Sequence, residues 1–100
     1  MRIEWTLPAL DDMQNIKDYI AKDSPFYAEQ FIERIFEYVE HLADQPKMGR
    51  KVPEEPREDV RELLYRDYRV IYRLNPDFIE IAAVIRGCRI FDELDKIPWE

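Results

Sequence analysis

The side chains whose types and spacing could do chemistry lie in the second half of the chain: Arg50, Arg61, Tyr65, Arg69, Tyr72, Arg73, Arg86 and Arg89. A guanidinium presents its N–H donors in a fixed fork and grips a phosphate or a carboxylate through paired hydrogen bonds. Arginines projecting together from a sheet could therefore hold an anionic partner. The competing reading is ordinary cross-strand pairing with Glu62, Asp67 and Glu80, which contributes roughly a few tenths of a kcal/mol per pair.

The rest of the inventory narrows the chemistry further. Ser24 is the only serine and Thr6 the only threonine, and both stand where helices are expected to start, so a Ser-His-Asp hydrolase is excluded. His41, the sole histidine, reads as a helix residue near the surface, and Cys88 as an incidental or structural thiol. One histidine and one cysteine make no recognisable metal set, and the many carboxylates follow the spacing of solvated helix faces, so neither a metal nor another cofactor is expected. Gly49 and Gly87 are the only glycines, too few for a phosphate-cradling loop.

Charge is distributed unevenly. The net charge is −7, yet residues 47–73 carry eight basic and six acidic side chains while residues 1–46 carry four and ten. Any anionic partner must meet a local arginine patch on a repulsive body, so protein partners are favoured over nucleic acid. One hundred residues, 46% of them hydrophobic, suit one compact domain spanning 1–100. The start lacks the apolar stretch of a secretory signal, no run approaches a membrane span, and a lone cysteine suits a cytoplasmic location.

The elements that must position these side chains can be read from periodicity. Ile3 and Trp5 alternate with Arg2, Glu4 and Thr6 as a short half-buried strand. Ala9, Met13, Ile16 and Ile20 recur at helical spacing after Pro8, with Asp11, Asp12, Lys17 and Asp18 outside. Ser24-Pro25 then caps a second helix with the stripe Ala28, Phe31, Ile32, Ile35, Val39 and Leu42. Between Asp44 and Asp59, Pro46, Gly49, Pro53 and Pro56 leave a long loop, of a kind that is often functional.

Three strands follow, Val60–Tyr65, Tyr68–Leu74 and Phe78–Arg86, joined at Arg66-Asp67 and at Asn75-Pro76-Asp77. In the last of them Ile79, Ile81, Ala83 and Ile85 should face one way. In the middle one Tyr68, Val70, Tyr72 and Leu74 share a face opposite Arg69, Ile71 and Arg73. The first is ambiguous, because either face includes a charge, Arg61 or Glu62. The order β-α-α-β-β-β implies an α+β domain, a helical hairpin packed on a mainly antiparallel four-stranded sheet whose other face, partly open, carries arginines and tyrosines.

Several stretches resemble the RelE/ParE toxin superfamily, most closely its ParE branch of plasmid-stabilisation toxins. These are Asp18–Pro25 at the helix junction, Pro46-Lys47-Met48-Gly49-Arg50-Lys51-Val52-Pro53-Glu54 in the loop, Val60-Arg61-Glu62-Leu63 with Tyr68-Arg69-Val70-Ile71-Tyr72-Arg73 in the strands, and Val84-Ile85-Arg86-Gly87-Cys88-Arg89 at the close. The resemblance implies the toxin of a type II toxin–antitoxin pair that arrests growth, with DNA gyrase as the target and a cognate antitoxin as partner. A homodimer is also open. Target contacts would come from Arg50, Arg61, Arg69, Arg73, Arg86 and Arg89. Antitoxin anchors would come from Phe26, Tyr27, Phe36 and Tyr38.

The alternative implied by the same resemblance is a RelE-like endonuclease that cuts mRNA on the ribosome, with Arg69 and Arg89 holding the scissile phosphate. The sequence departs from that pattern. Arg86 stands where many relatives carry a histidine, and an arginine cannot act as a general base near neutral pH. The tail Ile90–Glu100 has no tyrosine, and Lys47 and Lys51 are only near the positions of the lysine pair such nucleases present. The reading therefore leans towards a binding protein rather than an enzyme.

Overall fold

The computed structural model describes residues 1–86. Its elements are β1 (Arg2–Trp5), α1 (Leu7–Ala21), α2 (Pro25–Glu40), a 3-10 turn (His41–Ala43), β2 (Arg50–Lys51), β3 (Val60–Tyr65), β4 (Tyr68–Leu74) and β5 (Phe78–Arg86). The sheet has five strands in the order β1-β5-β4-β3-β2. All neighbours are antiparallel except β1, which lies parallel to β5. The fifth strand comes from within the 44–59 loop, where two residues pair with β3 at the sheet edge. Their brevity between Gly49 and Pro53 is why periodicity does not reveal them.

Both helix starts follow from local chemistry. The Thr6 hydroxyl accepts the Ala9 N–H at 3.2 Å and donates to the Ile81 carbonyl at 2.9 Å, so one side chain caps α1 and ties it to β5. The Ser24 hydroxyl accepts the Tyr27 N–H at 3.1 Å, with Pro25 in the first turn of α2, where a missing N–H costs nothing. The two helices lie on one face of the sheet. Met13, Ile16, Phe31, Ile35, Val39 and Leu42 bury against Leu63, Val70, Tyr72, Ile79, Ile81 and Val84. Rings reinforce this contact: Phe31 meets Tyr65 and Tyr68 edge-on at 5.6 and 5.7 Å.

Three expectations are corrected. The single face assigned to Ile79, Ile81, Ala83 and Ile85 is broken by a bulge, since Ile71 pairs with Ala83 but Tyr72 pairs with Ile81. The extra residue, Ala82, reverses the alternation. Ile79 and Ile81 face the helices, whereas Ala83 and Ile85 join Val52, Val60 and Ile71 in a second apolar cluster on the outer face. Secondly, Tyr65, Tyr68 and Tyr72 all lie on the helix side, so the outer face carries arginines but not these tyrosines. Thirdly, Asp12 is not simply an outward-facing residue of α1. Its carboxylate accepts the Val84 N–H at 2.9 Å, close to the bulge.

Candidate functional site

The β3–β4 register settles the charge on β3 that periodicity leaves ambiguous. Arg61 pairs with Tyr72 on the helix side, and Glu62 points to the outer face beside Arg69 and Arg50. Glu62 is buried, and a buried carboxylate is stable only if it is paired and hydrogen-bonded. Arg69 Nε donates to Glu62 Oε1 at 2.8 Å, and Arg50 Nε donates to Glu62 Oε2 at 2.7 Å. Arg69 also sends Nη1 and Nη2 to the two Glu54 oxygens at 3.0 and 2.9 Å, a fork-to-fork pair. Its guanidinium is held above the usual arginine range, first by the Glu54 bonds and then, against the cost of burial, by Glu62.

The network has consequences for the loop. Glu54 belongs to the proline-punctuated segment, so its pair with Arg69 clamps that segment onto the outer face above Val52. A second anchor sits on the helix side. The Tyr72 hydroxyl accepts the Gly49 N–H and donates to the Pro46 carbonyl, both at 2.9 Å, and Arg61 Nη1 donates to the Gly49 carbonyl at 2.8 Å. Burial raises the Tyr72 phenol above its ordinary value, with the Gly49 N–H and the Arg61 charge opposing the rise. At Gly49 the backbone touches the sheet. A Cβ there would sit 2.5 Å from the Glu62 carbonyl oxygen and 2.6 Å from the Tyr72 hydroxyl.

Between loop and sheet edge runs a groove of about 350 Å³ lined by Arg50, Pro53, Glu54, Leu64, Arg66, Tyr68 and Arg69. Arg50 is 59% exposed in its side chain, and Leu64 is an exposed apolar residue at 49%. Arg66 occupies the β3–β4 turn in the left-handed region at φ 52°, with its guanidinium 5.9 Å from the centre of the Tyr65 ring. The groove thus offers two accessible guanidiniums, one apolar contact and a deeper arginine already bound to two carboxylates.

The six arginines read from the sequence do not form one uniform surface. Arg50, Arg69 and Arg73 share the outer face, where Arg73 lies 3.8 Å from Glu80 and donates to Asn75 at 3.0 Å. Arg61 works on the helix side, and Arg86 is exposed at the end of β5 opposite Tyr68, whose phenol is raised by burial against the pull of that arginine. Arg89 lies outside the described residues, as do Cys88 and the Ile90–Glu100 tail. The four aromatic anchors divide as well. Phe26 and Tyr27 are exposed at 70% and 42%, whereas Phe36 packs on Trp5 at 4.6 Å and Tyr38 on Tyr65 at 5.6 Å. The sequence marks Glu62 only as an ordinary cross-strand pairing partner, and it gives Glu54 no role beyond its place in the loop. The signal for Glu62 lies in β3, where either face must include a charge, Arg61 or Glu62.

Comparisons with known proteins agree on the architecture. Residues 3–91 match the family described as ParE toxin of type II toxin-antitoxin system, parDE. The chain is 40% identical over 88 residues to "Putative toxin Y4kP" of Sinorhizobium fredii, covering 86% of this chain and 88% of that protein. It is 28% identical over 89 residues to toxin RelE2 of Caulobacter vibrioides, covering 89% and 98%. Among solved structures, the chromosomal ParDE system from P. aeruginosa superposes with TM-score 0.73 at 28% identity, covering 86% of this chain and 95% of that one. The RelBE2 toxin–antitoxin complex of Mycobacterium tuberculosis shares the fold, with TM-score 0.60 at 19% identity over 85% and 95%. The chain belongs to the ParE family of toxins from type II toxin–antitoxin systems.

Proposed function

We propose that this toxin acts by binding DNA gyrase and blocking it, not by cutting RNA, and that a cognate antitoxin neutralises it. The observation that carries this reading is the state of Arg69, the arginine a nuclease would place on the scissile phosphate. Its Nε, Nη1 and Nη2 all donate to Glu62 or Glu54. To stabilise developing negative charge it would have to surrender those carboxylates, and catalytic donors work best when preorganised for the transition state. The accessible guanidiniums of Arg50, Arg66 and Arg86 instead suit contact with a protein surface, where arginine is enriched among the residues that dominate binding energy.

The antitoxin reading rests on Phe26 and Tyr27, exposed near the start of α2. An apolar segment of the partner would cover them. Phe36 and Tyr38 would contribute at most an edge, since their rings are already packed. The second reading is the RelE-like nuclease that the sequence resemblance also implies, with ribosome-bound message as its target. Purified toxin is incubated with gyrase and relaxed plasmid and, separately, with ribosomes programmed with message. Blocked supercoiling with intact message is the expected result. Cleaved message with normal supercoiling overturns the proposal in favour of the nuclease.

A further inference from the structure

We infer that Tyr72, inside the molecule, is a positioning residue whose hydroxyl fixes the 46–50 turn and thereby the place of Arg50 on the toxin's active surface. The inference rests on the reading of Arg50 as a target contact.

Packing alone does not call for a hydroxyl here. Tyr72 is fully buried among Leu63, Ile79, Ile81 and the helix residues, where a phenylalanine ring would occupy the same space. The hydroxyl lies on a residue with no exposed surface, and a buried hydroxyl needs hydrogen-bond partners. Both belong to the turn that leads into Arg50: Gly49 N–H is accepted and Pro46 C=O is donated to, each at 2.9 Å. One atom therefore closes the turn by joining its first residue to the one just before Arg50. Arg61 adds a bond on the other side of the same residue, at the Gly49 carbonyl of the peptide group that leads into Arg50.

The other restraints on Arg50 act on its side chain or on the chain that follows it. β2 is only two residues long, a ladder that cannot define its own register. The Glu62 pair restrains the Arg50 side chain from the outer face, and buried Val52 with the Glu54–Arg69 pair holds the chain after Arg50, which leaves the turn before it to Tyr72 and Arg61. Gly49 completes the device: with a Cβ only 2.5 Å from the Glu62 carbonyl, any other residue would push the turn off the sheet. Tyr72 thus sets where the turn sits, and Glu62 sets which way the guanidinium points.

The test uses the full chain with Tyr72→Phe, Arg50→Ala and the double variant. Growth arrest on induction in cells lacking antitoxin reports toxicity whatever the target. Amide exchange at Gly49 and Arg50, compared with Val70 in the core, reports the turn. Tyr72→Phe is expected to stay folded, to exchange at least about tenfold faster at Gly49 than wild type with Val70 unchanged, and to need about tenfold more inducer for arrest, the scale of one lost interface contact. Adding Tyr72→Phe to Arg50→Ala should then cost nothing more. A merely structural tyrosine would give additive losses.

Unchanged exchange or unchanged toxicity in Tyr72→Phe overturns the inference. So does additivity in the double variant, or a wild-type protein that arrests nothing. If Tyr72→Phe does not fold, Gly49→Ala displaces the same turn from outside and is judged by the same rule. If neither folds, Tyr72 is structural and the inference fails. Failure of the gyrase reading is separately visible as growth arrest with normal supercoiling.

Discussion

The two faces of the sheet are stabilised by different physics. On the helix side, residues from both helices and three strands form one apolar cluster, with polar contacts that include the Thr6 cap, the Asp12 bond to Val84 and the Tyr72 bonds. On the outer face, a small apolar cluster lies beside an ion-pair network of Arg50, Glu54, Glu62 and Arg69. An apolar face tolerates small shifts of its parts, because dispersion and burial are not directional. A buried charge network holds only with its geometry intact, and one missing partner leaves an uncompensated charge. The 44–59 loop is held by both kinds of contact, by the ion pairs at Arg50 and Glu54 on the outer face and by the Tyr72 and Arg61 bonds to its 46–49 turn from the helix side.

That contrast can be broken at its strongest point first. Glu62→Ala should destabilise the protein by about 4 kcal/mol, the scale for removing one member of a buried pair, measured by urea titration. Replacing Glu62 and Arg69 together by methionine should recover much of the loss in stability but not the activity. Recovery of both would show that the network is only structural. Leu42→Ala on the helix side should cost about 3 kcal/mol from lost burial and the remaining cavity, with loop position and residual toxicity per folded molecule preserved.

A smaller effect is expected in alkali. The Tyr72 and Tyr68 phenols are raised in the folded state, so the folded protein holds their protons after the unfolded chain has released them. Stability is fully present below the ordinary tyrosine value near 10 and should fall as pH rises through the raised folded values. Thermal melts should show this decline, and Tyr72→Phe should reduce its slope. Smallest of all is Arg2→Ala. Its pair with Glu4 at 2.7 Å joins side chains 65% and 49% exposed, so less than about 0.5 kcal/mol should be lost. A loss comparable to that at Glu62 would mean that burial is not what separates the two pairs.

The legible parts of the molecule are those governed by local rules. Ser24-Pro25 marked the start of α2, and the bounds of β3, β4 and β5 follow from turn residues at Arg66-Asp67 and Asn75-Pro76-Asp77. What escaped depends on register. The Ala82 bulge leaves no mark in a run of small and β-branched residues that suits either face, yet it sends Ala83 and Ile85 outward. Glu54 and Arg69 are fifteen residues apart and meet only once the loop folds back. The candidate arginines could be named from the sequence, but their carboxylate partners, which decide whether each is available, could not.

The most direct measurement of the central claim is a titration of gyrase with fluorescently labelled toxin, comparing wild type and Arg50→Ala at equal folded concentration. Wild type should bind saturably, and the variant should bind at least about tenfold more weakly, the scale of an interfacial arginine. No saturable binding, or equal affinity for the two proteins, would contradict it.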